Sequence, residues 1–153
     1  MMADTGAIDA AVLTRLASDP ELLGYMPNGV YWGLAAQESL RYVIVTLATA
    51  ADSAQFGQTA IEERDYMIEA VGCSTVNPAV HQAARRIHDL LQDQPLTIDG
   101  YGWMSTYRTE PIHYTDADDA NQSIQWRHRG GFYRVQATPL RADAPRTPLV
   151  LTT

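Results

Sequence analysis

Glu62-Glu63-Arg64-Asp65-Tyr66-Met67-Ile68-Glu69-Ala70-Val71-Gly72 sets Tyr66, Ile68 and Ala70 at alternate positions, with Asp65, Met67 and Glu69 between them. A period of two is that of a strand with one buried face and one mostly wet face, and the wet face here is strongly acidic. The strand is followed by a helix whose beginning is plain. Asn77 is placed to cap it, Pro78 suits the first helical position, and Val80, Ala83, Ala84, Ile87, Leu90 and Leu91 form an apolar stripe to about Gln92. More strands lie on either side of this strand and helix.

Upstream, Ile8, Ala11, Val12 and Leu16 recur at helical spacing, giving a first helix over about residues 5–18, capped by Asp4 or Thr5 and stopped at Ser18-Asp19-Pro20. Pro27-Asn28-Gly29 is turn chemistry, so Val30-Tyr31-Trp32 forms a short rim or edge piece. Arg41 to Thr49 is β-branched and apolar on both alternations, the pattern of a strand in the middle of the sheet. Ala50 to Thr59 is small and polar and is expected to be an exposed loop able to reach a neighbour.

Downstream, Ile98 to Thr109 alternates aromatic and other residues and reads as a strand, followed by an acidic loop at Asp116 to Asn121. A last strand region covers Ser123 to Thr138. Its Gly130-Gly131 pair permits either a hairpin turn or a bulge within one strand. The expected division is one domain over 1–138 and a Pro-containing tail over 139–153 that orders only against another subunit.

Composition bounds the function. The chain has 153 residues, near the ~150 of one domain. No apolar run approaches the ~20 residues of a membrane span, and Met1 to Asp9 lacks the basic and apolar regions of a signal peptide, so a cytosolic origin without membrane contact is expected. Single Cys73 cannot form an internal disulfide. The net charge of −7 opposes sequence-independent binding to a phosphate backbone. All eleven basic residues are arginine; a GC-rich genome explains this most simply, and arginine also suits protein interfaces.

The candidate chemistry is thin. His81 and His88 stand seven apart on the second helix with Arg85 between them, which misses the four-residue step by which two helical histidines grip zinc. His113, Asp116, Asp118 and Asp119 offer ligands for a hard cation but lack the glycine and distal glutamate of a calcium loop. Cys73 precedes a helix without a glycine elbow or an assignable histidine base, and no phosphate-binding glycine motif is present. The expectation is no catalytic residue, no cofactor and no metal. Trp32, Trp103, Tyr107, Trp126, Phe132 and Tyr133 fit a core or subunit contact better than a nucleic-acid platform, with a ligand pocket as the other reading.

The order of elements, with Ala10 to Leu22, Asn28-Gly29-Val30-Tyr31-Trp32, Arg41-Tyr42-Val43-Ile44-Val45, the Tyr66 strand with its helix, and Trp126 to Thr138, resembles the phage tail-completion or tail-terminator family of long-tailed bacterial viruses. Cargo-transfer particles related to phages use similar proteins. The resemblance covers residues 7–138 and is one of pattern rather than of invariant residues. It implies an α+β fold, a mostly antiparallel sheet with two main helices on one face, and a structural subunit forming a homo-oligomeric, hexameric ring. That ring caps the tail tube, joins it to the head–tail connector in the neck and passes DNA without specific binding. The implied location is the virion, assembled in host cytoplasm. Departures are the Gly130-Gly131 kink and the Pro-containing tail, which bear on the last strand's register and the tail's partner.

In a ring, Arg127, Arg129 and Arg134 are candidate subunit-interface residues, and Glu62, Glu63, Asp65 and Glu69 are candidate lumen-facing acids over which DNA slides. The competing expectation is a small-ligand-binding or enzymatic α+β cone-fold domain, which would place an Asp, His or Tyr group inside the aromatic cluster.

Overall fold

A computed structural model describes residues 6–35, 40–55, 58–73, 78–118, 120–121 and 123–140, with the backbone alone at 54, 55 and 58–60. The elements are α1 (Gly6–Ala17), α2 (Pro20–Tyr25), β1 (Val30–Trp32), β2 (Arg41–Gln55), β3 (Gln58–Cys73), α3 (Ala79–Leu91), β4 (Tyr101–Ala117) and β5 (Gln125–Pro139). The five strands form one sheet in the order β1-β2-β3-β5-β4. β1 runs parallel to β2 and the other neighbours are antiparallel. This is the expected α+β architecture, a mostly antiparallel sheet with helices against one face.

Burial follows the periodicities. Ile8, Val12 and Leu16 of α1 and Val80, Ala83, Ile87 and Leu91 of α3 are buried over Val43, Val45, Tyr66, Ile68, Ala70, Tyr133, Val135 and Ala137 of the sheet. Each element contributes the residues that its own period puts on one side. Two polar links fasten the layer. Tyr66 donates its hydroxyl to Asp9 Oδ1 at 2.5 Å, tying α1 to β3. Asp19 caps α2 by accepting from Leu22 N at 2.9 Å and takes two bonds from Arg86 of α3 at 2.8 and 2.9 Å. The Arg86 bonds hold the Asp19 carboxyl below its ordinary pKa.

Several expectations need correction. α3 starts at Ala79, so Pro78 is its cap residue rather than its first helical one and makes no side-chain cap bond; the Asn77 cap and the Asp4 or Thr5 cap lie outside the described residues, as do 141–153 of the tail. The middle of the sheet is β3, not β2. β1 pairs β2 only at Val43, Ile44 and Val45, so apolar residues on both alternations of β2 report two partly covered faces, not a central place.

The expected loop at 50–59 is strand for most of its length. β2 and β3 stay paired out to Gln55 and Gln58, with irregularities between Leu47 and Thr49 and between Ser53 and Ala54, because small residues extend readily and the backbone groups that face inward are satisfied by the strand opposite. β4 likewise passes through Pro111 to Ala117. Proline is tolerated there because β4 is an edge strand whose missing N–H faces outward.

Gly130-Gly131 makes neither a hairpin nor a bulge. β5 runs straight through, with unbroken register to β3, and the irregularities fall in β4 between Trp103 and Ser105 and between Arg108 and Glu110. The glycines serve close approach. A Cβ on Gly130 would stand 1.9 Å from the Ile68 carbonyl oxygen, and one on Gly131 would stand 2.6 Å from Arg108 Cδ.

Candidate functional site

Alternation in β3 and β5 decides which charged residues share a face. Even positions of β3 face the helices, so Glu62 stands with Arg64 and Tyr66, and Glu63, Asp65 and Glu69 lie on the open face. Glu62, expected with the other three acids, is 5% exposed and bound to Arg64 at 3.0 Å; Arg64 also reaches Asp52 at 3.4 Å. Odd positions of β5 face the helices. Arg127 and Arg129 therefore sit on that side and Arg134 on the open one.

The open face is polar, and its charged side chains are hydrogen-bonded to one another. Arg134 donates to both oxygens of Asp65 at 2.8 and 3.0 Å and lies 3.0 Å from Glu63. Thr49 donates to Asp65 at 2.9 Å and Gln136 to Glu63 at 2.9 Å. The Arg134 bonds hold the Asp65 carboxyl below its ordinary value. Further along, Glu69 is 4% exposed and lies 3.1 Å from His128 Nδ1, and Tyr114 donates to it at 3.2 Å. Tyr114 stacks on His128 at 4.3 Å with 9° between ring planes. Burial, with Glu69 beside it, pushes the Tyr114 hydroxyl up to about 12. The acidic face read from the sequence is a set of satisfied bonds, not a bare wall of charge.

Both sheet edges are available for pairing. Among the described residues, β2 from Thr46 onward has β3 on one side and no strand on the other, and β5 pairs β3 over Glu62 to Cys73. From the Ser53–Ile61 pair outward to Gln55 and Gln58 the β2–β3 hairpin is thus a two-stranded ribbon projecting past β5, and Leu47 to Ser53, along the edge of β2, are all exposed. The second edge is β4.

Between α3 and the β4–β5 hairpin is a cleft of about 440 Å³ that includes His81, Arg85, His88, Arg108, His113 and Arg129 in its lining. Arg129 spans it, donating to His81 Nδ1 at 2.6 Å and to His113 Nε2 at 3.1 Å. Both rings accept through a lone pair, which a neutral imidazole supplies. His88 lies 3.2 Å from the Tyr133 hydroxyl, and burial, helped by Arg108, pushes its pKa down. The grouping of Arg85 with Arg108 escaped the sequence reading because a helix and a sheet edge far apart in the chain bring them together. The split of Arg127 and Arg129 from Arg134 was available in odd and even numbering.

Among the described residues no three His, Cys, Asp or Glu side chains are grouped to hold a metal, and Cys73 is a half-buried residue at the end of β3. The aromatic set is divided. Tyr133 is in the core and Trp32 packs on Tyr66, but Trp126 packs against Tyr42 on the other face.

The same architecture occurs in a virus-like particle. A chain of the virion of a native gene transfer agent particle superposes with a TM-score of 0.66 at 16% identity, over 87% of this chain and 96% of that one. A second solved chain matches with a TM-score of 0.55 at 11% identity, over 92% and 99%. At these identities the likeness is one of fold. No protein-family model and no curated protein matches the chain.

Proposed function

We propose that this chain is a structural virion protein, a tail-terminator or tail-completion subunit without enzymatic activity. Copies of it form a closed, hexameric ring that caps the tail tube and joins it to the head–tail connector. The observation that carries this reading is the fold shared with a chain of a gene transfer agent virion over nearly the whole length of both.

The surfaces suit the role. A ring needs two unlike patches that meet head to tail, and this sheet ends in two unlike edges: the outer half of β2, with its exposed ribbon, and the long β4. A two-stranded ribbon is marginal alone in water, and a strand from a neighbour stabilises it by satisfying the backbone groups of the free edge. Arg127 and Arg129 are assigned to subunit contacts, and Arg134, held by Asp65 and Glu63, to positioning its own face.

The open face, with Glu63, Asp65 and Glu69, is assigned to the lumen; Glu62 is excluded by its burial. A chain of net charge −7 repels the phosphate backbone overall, and DNA passes without specific binding. Light scattering after size exclusion, over a concentration series, should give a discrete ring-sized mass. Electron microscopy of tail tubes incubated with the protein should show it at one tube end. A persistent monomer that leaves tube ends bare would rule the proposal out.

A further inference from the structure

The cleft between α3 and the β4–β5 hairpin is charged against the rest of the molecule. Arg85, Arg108 and Arg129 all line it, in a chain whose acids outnumber its bases. The ion pairs of the described residues engage Arg64, Arg86, Arg134 and His128. Among those residues no carboxylate lies within ion-pairing distance of Arg85, Arg108 or Arg129. The lining carboxylate, Asp89, stays outside that distance from all three.

Arg129 is also held ready. Its guanidinium is fixed between His81 of α3 and His113 of β4, neither of which neutralises its charge. An arginine ordered before binding loses less freedom when an anion arrives, and its planar fork matches a carboxylate at two points.

We infer that this cleft is a carboxylate socket for a second copy of the chain, and that its occupant is the acidic tip of the β4–β5 hairpin, led by Asp116. The Asp116 side chain is 63% exposed, and Asp118 follows it at the turn. A chain cannot fill its own socket with its own tip. The lining residue His113 and the tip lie on the same extended hairpin, paired as far as Ala117 and Gln125, which holds them roughly 13 Å apart at strand rise. Socket and tip are different parts of the subunit, so their contact is head to tail. This inference rests on the ring reading and specifies one of its contacts.

Charge reversal tests it. Arg85→Glu alters an exposed helix position and should leave the thermal transition of the fold in place; Arg129→Glu is a second probe of the same socket. The concentration at half-assembly, read by light scattering, should rise about ten-fold or more for Arg85→Glu. Asp116→Arg should weaken assembly equally, although it makes the chain less acidic, and the Arg85→Glu, Asp116→Arg double variant should recover most of the loss.

Three results would overturn the socket. They are unchanged assembly in the reversals, stronger assembly in Asp116→Arg as general repulsion demands, or a wild-type chain that stays monomeric throughout. A ring that obeys the charge swap but ignores tail tubes would overturn only the tail-terminator role.

Discussion

The two faces of the sheet solve the same problem with different chemistry. Beneath the helices, Tyr66, Ile68, Tyr133 and Val135 are buried against α1 and α3; on the open face, equivalent positions one residue along carry Asp65, Glu69, His128 and Arg134 in hydrogen-bonded pairs. The first face gains from removing apolar area from water. The second gains little net energy per bond but holds each side chain in one place. The helix-bearing face therefore supplies stability, and the open face with its ribbon presents a shaped surface.

This contrast can be broken most severely at Gly130, where the strands approach closest. Gly130→Ala drives a methyl into the Ile68 carbonyl and should cost more than about 4 kcal/mol. Urea denaturation should then show no cooperative native baseline; an unchanged midpoint would mean that β3 and β5 can separate freely. Next in size, Ile87→Ala under the helices should cost about 2–5 kcal/mol. By contrast Leu47→Ala on the exposed edge of β2 should stay within about 0.5 kcal/mol and act on assembly instead, which denaturation and light scattering together would separate.

On the open face Arg134→Met keeps the stem but strands Asp65 and Glu63, and should cost about 1–3 kcal/mol, with Asp65 no longer held below its ordinary pKa. Titration by NMR reads this directly, and a still-depressed Asp65 would contradict the assigned cause.

Acidification should sharpen the comparison with the smallest effects. His88 under the helices has a lowered pKa, so the unfolded chain takes up its proton first. Its stability contribution is present above the ordinary 6.5 and is lost as pH falls from there toward the folded value. Asp65 on the open face and Asp19 beside α2 are also lowered; their contributions are present above 3.8 and are lost only as pH falls below it toward their folded values. The urea midpoint should thus decline in two stages, and His88→Gln should remove the upper one.

Long periodic segments were legible. The α3 stripe and the Tyr66-Ile68-Ala70 alternation carry the same answer locally as in the fold, since both record which side of an element leaves water. The strand pairing over 50–59 was not legible, because Ala, Ser and Thr fit a loop as well as a strand and only the partner strand chooses. Glu62 was misplaced because its charge suggested water while its even number placed it beside Arg64, whose guanidinium makes burial affordable. Gly130 was read as a hairpin turn or a bulge when it marks a close approach by another strand.

By itself the sequence determined the α+β class, the helix-bearing side and the acidic balance, since composition and period act within one element. Tertiary structure alone decided that β3 is central, that the β2 and β4 edges stay open, and that Arg85, Arg108 and Arg129 share a cleft. Those outcomes depend on pairing between residues far apart in the chain, and no local pattern encodes which strand a backbone N–H will find.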